Sequence, residues 1–168
     1  MEFWDIYDKN RNKTGKLFRR DIDKFEEGEY HIVVAALILN SKKQILITKR
    51  AQTKKKFAGL WEFTGGSVLS GETSLDGILR EVREEIGLKF TKEDAIFFKT
   101  FMTDRASFKD VWLFKTDIEI KDLNFTDKEV EDAKWVTIQE FLEMRKKGEI
   151  IPTIDIEEEE YNSAINMI

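Results

Sequence analysis

Cysteine is absent from all 168 residues, which excludes a disulfide framework, a thiolate metal site and a thiol nucleophile. Histidine occurs once, at His31, so no metal centre can be built from several imidazoles. Long hydrophobic runs are missing as well. The longest, Ile32 to Leu39, is too short to span a bilayer. The N-terminal Met-Glu-Phe-Trp-Asp has neither the basic nor the apolar region of a signal peptide, and a cytoplasmic location is the expectation. Nor is there an excess of positive charge. The net charge is −5, with Lys and Arg dispersed among the acids, which argues against binding to long nucleic acid but leaves room for a local basic pocket. No repeat or low-complexity linker divides the chain. What is present, 41% hydrophobic and 36% charged residues, suits one soluble domain over residues 1–168 with a sizeable core.

The most informative stretch runs from Gly65 to Leu88. Its spacing predicts loop, helix, loop, with the helix from about Thr73 to Ile86. At 3.6 residues per turn, Leu75, Ile78, Leu79, Val82 and Ile86 form one apolar stripe. Glu81, Glu84 and Glu85 fall beside it, at i, i+3 and i+4. Carboxylates so placed repel each other by a few tenths of a kcal/mol per i,i+4 pair, roughly. A hard divalent cation that neutralises them explains the cluster most simply. A solvated surface helix is the bland alternative. Gly77 lies one turn before Glu81, and glycine there costs roughly 1 kcal/mol against alanine. The expectation is that it leaves room for a ligand to approach the backbone. Gly65 and Gly66 are expected to turn tightly where side chains would obstruct a phosphate.

Gly66, Glu72, Arg80-Glu81-Val82, Glu84-Glu85 and Gly87-Leu88 stand at the fixed spacings of the Nudix box, and the chain resembles that family of hydrolases. The resemblance implies an α/β fold, a Nudix-type α/β/α sandwich around a mixed sheet. It implies Mg²⁺- or Mn²⁺-dependent cleavage of a diphosphate linked to another moiety, so the partner would be a small-molecule diphosphate. It also assigns Arg80 to orienting the glutamates, beside an ordinary i,i+4 pairing with Glu84. Glu72 then has a supporting role near the helix start. Mutator-type members carry a further carboxylate six residues before a tryptophan that opens the last strand. Here that position is Glu129, six before Trp135, with Glu131 and Asp132 as competitors. It could be a further ligand or a general base.

Substrate contacts are expected from Arg50 and Lys55, where related sequences carry basic residues, and from Gly65 and Gly66. Surface charge is the alternative for both cations. Trp61, Phe63, Phe101 and Trp112 could stack on a base or simply fill the core. The N-terminal half, with Gly28-Glu29-Tyr30-His31 and Lys49-Arg50-Ala51, also resembles isopentenyl-diphosphate isomerases. Where those carry Cys-Gly-His, this chain reads Gly65-Gly66-Ser67. An isomerase-like scaffold with hydrolase machinery is the implied reading, with His31 a pocket residue. A metabolite-binding module without catalysis is the remaining rival, although a pure binder need not keep the metal site.

Along the chain, residues 2–7 and 15–20 predict an accessory hairpin, whose free edges could pair two chains as a homodimer. Residues 21–28 read as a linker or one helical turn. Residues 30–39 predict a strand buried on both faces, and 44–48 its return. Strands are expected at 95–102, 111–118 and 133–136, and a helix after Thr137. A last helix is expected over 154–167, weakened by four successive glutamates. Specificity is expected in loops 51–60, 103–110 and 121–132.

Overall fold

A computed structural model describes residues 1–126, 128–153 and 156–168. Its sheet is built around β3 (His31–Leu39), the apolar run noted above. β3 pairs in parallel with β8 (Ser107–Lys115), which pairs antiparallel with β7 (Ile96–Thr103). β4 (Ile45–Arg50) returns from β3 and carries β5 (Trp61–Glu62) and β9 (Val130–Val136). β6 (Gly65–Ser67) pairs with the first half of β3. The sheet is therefore mixed and seven-stranded.

Side chains alternate along a strand, so β3 feeds two cores. Val34, Ala36 and Ile38 pack with Ile78, Val82 and Ile86 of α1 (Ser74–Ile86). Ala35, Leu37 and Leu39 pack with Phe141 and Met144 of α2 (Ile138–Lys146), and with Tyr161 and Ala164 of α3 (Glu158–Ile165). One helix on one face and two on the other give the α/β/α sandwich. Among the described residues no helix is long and apolar enough to cross a membrane.

The helix ends follow local chemistry. Thr73 caps α1 and Thr137 caps α2, each in a capping box with the residue three further on. Gly87, at φ 77°, closes α1 in the left-handed conformation. The four glutamates do not oppose α3. Glu157 is its N-cap and the other three form its first turn, where the helix dipole favours negative charge. The expected start of that helix, at Ile154 and Asp155, lies outside the described residues.

The leading hairpin is a separate two-stranded sheet, β1 (Phe3–Tyr7) and β2 (Lys13–Arg19). Several contacts, polar ones among them, tie it to the main body. Arg11 grips Asp110, which is 1% exposed, with Nη1–Oδ1 at 2.8 Å and Nη2–Oδ2 at 2.5 Å. Asp5 accepts from the Ser70 hydroxyl at 2.8 Å and the Gly71 amide at 3.1 Å. Tyr7 and Tyr30 exchange backbone hydrogen bonds. Residues 21–28 form turns rather than a helical turn. Two strands begin earlier than their hydrophobic pattern suggests: β8 at Ser107 and β9 at Val130. Their polar leading residues are held in the ladder by register with β3 and β4.

Candidate active site

Three carboxylates of α1 leave the helix beside β6. Glu85 is 4% exposed, and its Oε2 accepts the amide of Gly65 at 3.2 Å. Glu81 lies against Gly66, where a Cβ would collide with its carboxylate. Glu84 is more open, its side chain 46% exposed. Burial, aided by the charges of Glu84 and Glu129, pushes Glu81 up to about 7 although Arg80 opposes the shift.

Arg80 ties these groups to the loop that precedes the helix. Its Nε and Nη2 donate to Glu72 at 2.7 and 3.0 Å, and Nη2 also reaches the Ser67 carbonyl at 2.9 Å. Nη1 donates to Glu81 at 2.8 Å and to Glu84 at 3.2 Å. The contacts with Glu72 and Glu81 and the i,i+4 pair with Glu84 thus coexist in one side chain. Burial would lower the Arg80 pKa, but Glu72 and Glu81 outweigh that and hold it raised. Glu72 also accepts the Leu69 amide at 2.9 Å, so its contribution is to fix Arg80 and the loop.

The glycines work differently from expectation. Gly65 and Gly66 form a strand, and neither has a positive φ. They are small because space is short: a Cβ on Gly65 would meet the Val34 carbonyl, and one on Gly66 would meet Glu81. Gly77 gives no opening for a ligand. A Cβ there would stand 3.0 Å from Val68 Cγ2 and 3.6 Å from Glu72 Oε2, so its room is taken by the loop before the helix.

Among the described residues, no three or more His, Cys, Asp or Glu side chains are gathered as a ready metal cage. Mutual repulsion is relieved instead by Arg80 and the Gly65 amide. The donor set still suits a hard divalent cation. It offers only oxygen, and Glu81 and Glu85 are withdrawn from water. Glu81, Glu84 and Glu85 are the residues that could hold it.

Beside β6 opens a cleft of about 330 Å³. Gly65, Gly66 and Ser67 form one edge, and Lys56, Arg105 and Lys109 bring positive charge to its walls. Lys109 donates to the Thr153 carbonyl at 2.9 Å; burial lowers its pKa while Glu62 pulls the other way. Arg105 lies over the Phe57 ring at 5.1 Å, joining the loop after β4 to the β7–β8 turn. Arg50 lines the cleft too, but it is engaged by Glu62 at 2.5 Å and by the Lys56 carbonyl at 3.2 Å. Burial raises the pKa of Glu62 against the pull of Arg50.

The remaining expected residues are scattered. Lys55 is exposed and does not line the cleft; its neighbour Lys56 does. Glu129 pairs with Lys54 at 2.5 Å, and its charge reaches Glu81. Of its competitors, Glu131 pairs with Lys49 at 3.0 Å and Asp132 accepts the Ala133 amide at 2.8 Å. His31 is in the cleft wall. Phe63 lines it as well, while stacking on Phe141 in the core. Trp112 donates to Ser74 at 3.0 Å and meets Phe97 edge-on, Trp61 lies under Lys134, and Phe101 under Lys99. None of the described residues in 121–132 lines the cleft, whereas Ile151 and Thr153 do. Phe57, Arg105 and Lys109 fall in the loops expected to set specificity, 51–60 and 103–110, but were not singled out there, and Glu62 was not anticipated. For Lys109 a signal existed: it shares a strand face with Val111 and Leu113, both in the core.

Comparison with known proteins agrees with this fold. Residues 29–154 match the NUDIX domain. An uncharacterized Nudix hydrolase of Listeria monocytogenes is 37% identical over 153 residues, covering 90% of this chain and 89% of that one. An isopentenyl-diphosphate Δ-isomerase of Shigella flexneri is 29% identical over 120 residues, 67% of this chain and 64% of that protein, so the likeness extends past the N-terminal half. The crystal structure of a Deinococcus radiodurans protein superposes with a TM-score of 0.74 at 26% identity, over 89% of this chain and 91% of that one. With its domain match spanning the sheet, the glycine strand and the glutamate helix, this chain belongs to the Nudix hydrolase family.

Proposed function

We propose that the chain is a divalent-metal-dependent pyrophosphohydrolase, cleaving the phosphoanhydride of a small nucleoside diphosphate derivative or another organic diphosphate. The observation that carries this reading is the glycine strand. Withdrawn carboxylates of α1 stand against it, Glu81 so close that Gly66 has no room for a Cβ, and a basic cleft opens beside it.

A phosphoanhydride resists attack because its oxygens repel the nucleophile. A bound Mg²⁺ or Mn²⁺ offsets that charge and makes a coordinated water more acidic. Glu81, Glu84 and Glu85 would hold the ion, and Arg80 keeps two of them aimed. Lys56, Arg105 and Lys109 bind phosphate oxygens and fix the diphosphate along the Gly65–Ser67 edge. One bond forms from water oxygen to phosphorus, and the bond to the bridging oxygen breaks. The water proton passes to a carboxylate oxygen, with Glu129 the candidate base outside the helix. An isomerase reading finds no support in the site, since Gly65-Gly66-Ser67 offers no thiol.

The test is a hydrolysis screen with Mg²⁺ and Mn²⁺ over nucleoside triphosphates, dinucleotides, nucleotide sugars, coenzyme A and isoprenoid diphosphates. Metal-dependent release of phosphate, pyrophosphate or a monophosphate is expected. Glu85→Gln should lower kcat/KM by about 10²–10³-fold, the scale of losing one preorganised electrostatic group. Binding of one compound without turnover would instead mark a metabolite-binding module.

A further inference from the structure

Among the groups lining the cleft, His31 has a hydrogen-bonding state that its surroundings dictate. Its ring stacks on Trp4, with centroids 4.5 Å apart, and on Phe25, 5.1 Å apart. Trp4 belongs to β1, so the leading hairpin reaches the cleft through this stack. The ring's Nδ1 lies 3.2 Å from the Ala106 carbonyl, and the His31 backbone amide donates to the same oxygen at 3.1 Å. A carbonyl oxygen only accepts, so the proton of the neutral imidazole resides on Nδ1. Ala106 presents that carbonyl from the β7–β8 turn with φ 53°, a left-handed conformation that costs a non-glycine residue energy.

With the proton on Nδ1, Nε2 is a bare acceptor. It forms no hydrogen bond within the described residues, and it is not among the sealed, partnerless buried atoms. Burial keeps the ring neutral, its pKa lowered to about 4 although the Ala106 bond opposes this. A neutral acceptor does not bind phosphate, and the cations Lys56, Arg105 and Lys109 lining the same cleft discourage a metal ion at Nε2. Phe57 also lines the cleft, held at φ 56°, an outlier for a bulky residue, with Arg105 over its ring. Three cations and one neutral acceptor side by side complement a nucleoside diphosphate: its phosphates and one N–H or O–H donor of the nucleoside.

We propose that His31 is a specificity-determining residue whose Nε2 accepts a hydrogen bond from the nucleoside part of the substrate. The donor is a base amine or a ribose hydroxyl. This rests on the diphosphate-binding reading above but not on turnover.

His31 is the only histidine, so its imidazole ¹⁵N signals are unambiguous. The experiment uses the labelled full chain with Mg²⁺. Free protein should show the neutral Nδ1–H form at pH 7. An Nε2–H or a charged ring would overturn the proposal while leaving the hydrolase reading intact. The α,β-methylene diphosphates of adenosine, inosine and 2′-deoxyadenosine are then titrated. An Nε2 shift with adenosine but not inosine identifies the base amine; loss with 2′-deoxyadenosine alone identifies the ribose hydroxyl. In either case His31→Phe, which retains a stacking ring, should erase a roughly tenfold difference in Kd between the analogues. If none of the three perturbs Nε2, the proposal fails, whatever the hydrolysis screen reports.

Discussion

The acidic face of α1 and the basic wall of the cleft are assembled in different ways. Glu72, Arg80, Glu81, Glu84 and Glu85 come from one loop and the helix that follows it, and the arginine already bridges three of the acids. The wall collects Lys56 from the loop after β4, Arg105 from the β7–β8 turn, Lys109 from β8 and Thr153 from beyond α2. The acidic face is internally compensated, so its electrostatics are largely set before any ligand arrives. The wall holds cations whose partners are sparse: Lys109 has a carbonyl, and Arg105 an aromatic ring. Local assembly yields a prepaid, rigid array; distant assembly yields charge left over for a substrate.

Breaking the compensated side should have the largest effect. Arg80→Met leaves Glu72 and Glu81 facing each other without their cation in a partly buried site. Loss of about 3 kcal/mol of stability is expected, the lower end for breaking a buried ion pair. Urea unfolding measures it; an unchanged midpoint would mean that the arginine is no keystone.

Next is the pH response of the neutral member of the wall. His31 titrates at about 4 in the folded chain against 6.5 ordinarily. Between those values the unfolded chain binds more protons, so this contribution is complete above pH 6.5 and declines as pH falls toward 4. The loss reaches about 3 kcal/mol. Stability measured at pH 7, 6 and 5 in wild type and His31→Phe isolates the contribution: the variant should show the shallower acid slope. Parallel slopes would remove His31 as the cause.

A smaller effect is expected at Lys109. Lys109→Met should raise KM about tenfold, roughly the 1.4 kcal/mol of one charged contact, with little change in kcat. If kcat falls instead, Lys109 serves the transition state rather than binding. The smallest effect belongs to Lys55→Ala. An exposed lysine away from the cleft should change stability and KM by no more than about 0.5 kcal/mol. A large KM increase would extend the basic wall beyond its present edge.

The same contrast governs what could be read from the chain. Helix α1, its apolar stripe, the Thr137 cap and the two-faced strand β3 were legible, because periodicity and capping involve residues a few positions apart; that Thr73 caps α1 instead of opening it came from the structure. The glutamates were legible for the same reason, Arg80 through its i,i+4 spacing to Glu84 and the family resemblance, and the missing thiol weighed against isomerase chemistry. The choice between Lys55 and Lys56 was not, since adjacent residues in an irregular loop have no fixed direction. Glu62, which engages Arg50, was also hidden: the pairing across β4 and β5 sets it.

The sequence by itself determined the helix that bears the carboxylates, the absence of sulfur chemistry and the alternating strands of a two-sided sheet. Only the tertiary structure decided why Gly65 and Gly66 must lack side chains, which cations enter the cleft and what state His31 adopts. Those outcomes depend on the parallel register that sets His31 opposite Ser107 and on the approach of β6 to β3 and α1. Contacts between segments tens of residues apart arise from packing geometry, and no local periodicity encodes them.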